Sequence, residues 1–194
     1  MKRSYFLILL AFLTLVMKAP CASNDDAENQ LKQWVNQVTA ITSSSKERES
    51  LRNNVRPILE HIINFQSMTR RAIGPGWRQF TPDQQKEAIR LFTTLIIRTY
   101  TAKFTPGEIP SVTFKGVTSP TPGRVEVSTT ALYKGSSYDA IYRMEQSNGW
   151  LITDIVVEGV SIVANYRSQF ESEFQQGGAA EVLKSLNLSV NTKQ

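Results

Sequence analysis

Reactive side chains are scarce in this 194-residue chain, which has one cysteine, Cys21, and one histidine, His61. A single cysteine excludes an internal disulfide framework, and the two residues together fall short of the His/Cys sets that hold structural zinc. The stretch Gly159-Val160-Ser161-Ile162-Val163 sits where a hydrolase would carry its G-x-S-x-G nucleophile elbow, but the second glycine is missing. His61 also precedes Ser161, the reverse of the chain order that this enzyme class uses. A cap or first-turn role suits Ser161, and an ordinary helix-face position suits His61. No glycine-rich phosphate loop, internal repeat or long Lys/Arg run occurs, so no nucleotide or nucleic-acid partner is expected. Nor is there an apolar run long enough to span a bilayer comfortably, since the longest covers residues 5–17.

That short run lies between Lys2-Arg3 and the small-residue region Ala19-Pro20-Cys21-Ala22, the arrangement of a secretory signal peptide over residues 1–22. Cys21 lacks the leucine-like residue before it that a lipidation site would want. Cleavage after Ala22 would remove Lys2, Arg3 and Lys18, taking the basic residues from 22 to 19 against 17 acids and the net charge from +5 to +2. The basic character is therefore largely that of the leader. The remaining 23–194 would be cysteine-free, stabilised by packing, and of a size for one domain.

The spacing of apolar residues predicts helices over 27–104. Leu31, Trp34, Val35, Val38 and Ile41 form one amphipathic stripe, and Leu51, Val55, Ile58, Leu59, Ile62 and Phe65 form a second, in which Pro57 implies a kink or restart. Arg70 and Arg71 read as a solvated charged face. Thr81-Pro82-Asp83-Gln84 is the clearest helix start, with a capping threonine, proline at the first helical position and glutamine three residues after the cap. After Pro110 the period becomes alternating, and four strands at 112–117, 125–133, 137–145 and 150–157 make an antiparallel meander. Alternation puts Val125, Val127, Tyr142, Met144, Trp150 and Ile152 on the helix-covered face, together with Asp154, for which Arg167 is a candidate partner. Glu158-Gly159 is the expected switch into C-terminal helices over 160–187, interrupted at Gly177-Gly178, with a frayed tail from Asn187. The fold class is α+β, with a helical N-terminal half packed on a four-stranded sheet.

Two segments carry a family resemblance: FQSMTRRAIGPGWRQFTPDQQKEAIRLFTTLIIRTY at 65–100 and GWLITDIVVEGVSIVANYRSQF at 149–170. With Gly74, Trp77, Tyr100, Tyr142, Asp154 and Tyr166-Arg167, they resemble the MlaC, or toluene-tolerance, family of the pathway that maintains lipid asymmetry. The resemblance implies a periplasmic phospholipid carrier of a Gram-negative bacterium. Its implied partners are phospholipid, an inner-membrane ABC transporter complex with its substrate-binding subunit, and an outer-membrane lipoprotein-porin complex. A related branch carries hopanoids, which leaves another apolar lipid as an alternative ligand.

A carrier of this kind needs an apolar lining but no acid, base, nucleophile or metal, so no cofactor and no enzymatic activity are expected. The alternative from another class is a small periplasmic enzyme with Asp154 as a base in an apolar pocket. The tails are expected between the sheet and its helices. The candidates are Phe92, Leu95, Ile96, Tyr100 and Phe104 on one helix, Val127, Tyr142, Trp150 and Ile152 on the sheet, and Val160, Val163, Tyr166 and Phe170 on the last helix. Periodicity alone does not separate such a cavity from a dry core, because both use the same residue types.

Overall fold

The computed structural model describes residues 24–192. The expected signal peptide, 1–22, with Lys2, Arg3, Lys18 and Cys21, lies outside the described residues. Four helices come first: α1 (Asn24–Ser44), α2 (Arg48–Ile62), α3 (Phe65–Ile73) and α4 (Pro82–Thr101). Strands β1 (Ser111–Thr121), β2 (Arg124–Tyr133), β3 (Ser136–Ser147), β4 (Gly149–Val157) and β5 (Val160–Ser161) follow, and α5 (Ile162–Asn191) closes the chain. The sheet is an antiparallel meander in the order β1-β2-β3-β4-β5.

The α+β class is as expected, but the sheet has five strands instead of four. Glu158 and Gly159 both take positive φ, 50° and 78°, the pair of angles that a two-residue hairpin requires. The chain therefore turns back at this point, and Val157 pairs with Val160 and Val156 with Ser161. The last helix begins only at Ile162, with Ser161 as its cap accepting from the Ala164 amide at 3.0 Å.

Helix boundaries follow local chemistry. Thr81 and Gln84 form a reciprocal capping box at α4, and the Asn64 side chain caps α3 by accepting from the Ser67 amide. Pro57 neither stops nor restarts α2, which runs through it. Gly177 and Gly178 leave helical geometry and bend α5, as the sequence predicts. The tail expected to fray is instead helical to Asn191, because the Arg98 guanidinium donates to the carbonyls of Ser189 (2.5 Å), Val190 and Thr192 (2.9 Å). A cation there also complements the C-terminal end of the helix dipole.

Two aromatic seams join the helices. Phe92 of α4 meets Tyr166 and Phe170 of α5 edge-on, with centroids 5.0 and 5.6 Å apart. Phe80 stacks between Trp77 and Phe174. A side chain at Gly76 would stand 2.9 Å from the Phe174 ring, so glycine is what lets α5 approach the turn after α3.

Strict alternation fails at three places in the sheet, one of them between Thr118 and Thr121 beside the β1–β2 turn. A bulge between Phe114 and Gly116 shifts the β1 register, and another opposite Arg143 and Met144 places Asp154 across from Arg143 and Ile152 across from Met144. Inward positions thus skip a residue, running Val112, Phe114, Val117 in β1 and Trp150, Ile152, Ile155, Val157 in β4. Each bulge sharpens the local twist and curves the strand.

Candidate functional site

A cavity of about 260 Å³ lies where α1, α2 and α4 face the curved sheet. α1 supplies Leu31, Trp34, Val35, Val38, Thr39 and Thr42, and α2 supplies Leu51, Val55, Leu59 and Ile62. Ile63 and Met68 follow from the α2–α3 junction and α3. The α4 side contributes Ile96, Ile97, Tyr100 and Thr101, continued by Phe104 in the loop beyond it. Pro110, Val112, Ala140, Tyr142, Ile152, Ile155 and Val157 form the sheet side, with Ile162 from the start of α5. These helices wall the cavity because their apolar residues recur every three or four positions, giving each one continuous inward stripe.

No charged side chain lines it. Among the polar groups of the wall, Thr42 and Thr101 donate to carbonyls one turn back, those of Val38 (2.8 Å) and Ile97 (2.6 Å). Tyr100, Tyr142 and Thr39 are different, since none of their hydroxyls has a hydrogen-bond partner among the described residues. Burial pushes the Tyr142 phenol above its ordinary range, and burial followed by the neighbouring Tyr166 and Asp154 does the same to Tyr100. Such an enclosure can take up an apolar body and excludes ions.

Of the thirteen residues expected to meet a ligand, the structure brings Ile96, Tyr100, Phe104, Tyr142 and Ile152 together in this wall. Phe92, Tyr166 and Phe170 belong to the α4–α5 seam instead. Leu95, Val127 and Trp150 are buried in packed core, with the Trp150 amide donating to the Gln30 side chain at 3.2 Å. Val160 is 59% exposed, because it sits in the hairpin and not on the last helix. Val163 is half-buried beside a separate groove that carries Arg71, Arg124, Arg143 and Arg167. The α1 and α2 wall was visible as two amphipathic stripes, but nothing in their spacing distinguishes a stripe facing space from one facing protein.

Asp154 is not in the cavity. The β4 bulge turns it to the opposite side, where Arg143 (3.0 Å), the Ser161 hydroxyl (2.6 Å) and the Val163 amide (3.1 Å) all donate to its carboxylate. Its partner is thus Arg143 and not Arg167, and a carboxylate only 5% exposed is satisfied by three donors. The cluster ties β3 and β4 to the first turn of α5. Arg71 is likewise engaged, donating to both oxygens of Glu145 at 2.6 and 2.7 Å, while His61 and Arg70 are exposed. No group of His, Cys, Asp and Glu among the described residues could hold a metal ion, and no described helix is long and apolar enough to cross a membrane.

A phospholipid-binding protein from Ralstonia solanacearum, solved in complex with a phospholipid, has the same architecture. It superposes with a TM-score of 0.79 at 26% identity, over 85% of this chain and 97% of its own length. No curated protein matches the chain. The family profile described as MlaC protein matches residues 32–188, a span that takes in the cavity-forming helices, the whole sheet and nearly all of α5. On that match the chain belongs to the MlaC family.

Proposed function

We propose that this protein is a phospholipid carrier that holds acyl tails in the cavity between α1, α2, α4 and the sheet. The observation that carries this reading is the uncharged cavity itself, on the fold of a relative solved with phospholipid. A permanently empty space of 260 Å³ would cost about 6 kcal/mol at the usual penalty per unit of core cavity, against a typical domain stability of roughly 5–15 kcal/mol. An occupant removes that penalty, and each tail methylene withdrawn from water contributes about 0.8 kcal/mol. Ile96, Tyr100, Phe104, Tyr142 and Ile152 contact the tails in this reading, joined by the apolar residues of α1 and α2.

The volume is slightly below the roughly 300–1,000 Å³ of ordinary small-molecule pockets. After removal of residues 1–22 on export, 23–194 act as one lipid-binding unit in the periplasm. It exchanges lipid with an outer-membrane lipoprotein-porin complex and an inner-membrane ABC transporter, which serves to maintain outer-membrane asymmetry. Asp154 lies outside the cavity with its oxygens engaged, which supports the carrier reading over an enzyme with that residue as a base in the apolar pocket.

Extraction of the purified periplasmic protein with organic solvent, followed by mass spectrometry, tests the reading. Phospholipid near one equivalent or more per protein is expected. An empty protein, or one carrying a hopanoid, would overturn the assignment.

A further inference from the structure

Three hydroxyl-bearing residues of the cavity wall, Thr39, Tyr100 and Tyr142, have no hydrogen-bond partner among the described residues, and of these the two phenols are the stronger donors. Tyr142 comes from β3 and Tyr100 from α4, so the two phenols approach from the sheet side and the helix side. Tyr142 sits deep in the protein yet is only half-buried, and the surface it retains includes the cavity wall. Its oxygen is not among the fully enclosed polar atoms that lack partners, so it is open to the space beside it. A buried tyrosine hydroxyl ordinarily finds an acceptor, and leaving one unmade in apolar surroundings is unfavourable. Thr42 and Thr101 in the same wall follow that rule by donating to their own helices.

Once a ligand fills the space and displaces water, the acceptor for these phenols has to come from that ligand. A phosphate oxygen does not suit, because no Lys or Arg lines the cavity and an unpaired charge there would be strongly disfavoured. A hydrocarbon tail has no acceptor at all. A neutral carbonyl fits both constraints, and in a lipid it occurs where each acyl chain joins the glycerol. We propose that Tyr100 and Tyr142 donate hydrogen bonds to the ester carbonyls of the bound lipid, making the cavity selective for ester-linked over ether-linked glycerolipids. The inference rests on the lipid-carrier reading and adds to it the chemical class of the linkage. The two hydroxyls would also set the depth at which the tails stop, since the tails extend from the carbonyls into the apolar end.

The test uses delipidated full-length mature protein and two phosphatidylglycerols of equal chain length, one diacyl and one dialkyl ether, in competition read by native mass spectrometry. Wild type should retain the ester lipid in excess by roughly 3- to 10-fold, the effect of one or two neutral hydrogen bonds. Tyr100→Phe with Tyr142→Phe, which keep the rings and remove only the hydroxyls, should bring the ratio to about one while both lipids still load. Infrared spectra of wild type loaded with carbonyl-¹³C lipid give a measurement independent of the variants' folding, and a downshifted ester stretch is expected. Equal retention of ester and ether lipid by wild type, an unchanged preference in the double variant, or an unshifted carbonyl would overturn the proposal and leave the carrier function standing. Failure of wild type to load either lipid would instead overturn the carrier reading itself.

Discussion

Ser161 serves two partners at once, capping α5 through Ala164 and donating to Asp154 at 2.6 Å. Removing a serine cap costs about 0.5–2 kcal/mol and a net hydrogen bond about 1 kcal/mol, so Ser161→Ala should lose about 1–3 kcal/mol in urea unfolding. Since Ser161 is not in the cavity wall, lipid content per folded protein should stay constant. Loss of lipid with an intact circular dichroism spectrum would place it at the ligand. A second residue gives a pH signature. Glu173 receives a bond from Ser185 through one oxygen, while the other is enclosed without a partner, and burial raises its pKa above the ordinary value. A raised carboxyl pKa means that folding favours the protonated form. Its stabilising contribution is complete below the unfolded value near 4.5 and disappears as pH rises through the folded one. Glu173→Gln should therefore melt above wild type at pH 7, and the gap should close on acidification towards pH 4; equal melting temperatures at pH 7 would refute this.

Among the elements, the sheet face and the last helix give opposite expectations for the same substitution. Ala140 in β3 is half-buried against the cavity, so Ala140→Trp would put an indole into the space the tails need. Lipid recovered on extraction should fall several-fold with the fold retained. Val163→Trp lies at the arginine-bearing groove and should leave lipid unchanged. The reverse pattern would relocate the cavity. Helices were the most legible elements, because capping residues and apolar spacing are local signals: Thr81-Gln84 and Gly177-Gly178 mark real boundaries. The turn at Glu158-Gly159 was legible as a reversal but not as a hairpin. Nothing within two residues says whether the chain after a tight turn pairs once more before coiling, and two backbone pairs with β4 decide it.

For the molecule as a whole, the α+β arrangement follows from the change of apolar period after Pro110, and the meander follows from the short links. The cavity did not follow in the same way. Five of the thirteen expected residues line it, and the aromatics Phe92, Tyr166 and Phe170 were drawn to it only because apolar residues on facing helices look alike whether they meet each other or a void. The bulge in β4 was equally hidden, and its reach is wide. Because it holds one extra residue, it decides which half of β4 shares a side with Ile152. Were the same residues to run in strict alternation from Ile152, Ile155 and Val157 would turn outward and Asp154 would come in, lining the tail space with a carboxylate at unchanged composition, whereas losing the single codon at Thr153 would keep all three on their present sides. For the same reason, an alignment with a chain that lacks the bulge would, if it left out the one-residue gap here, assign every later β4 residue to the wrong side of the sheet, and a variant found in that stretch would be read as harmless when it faces the lipid.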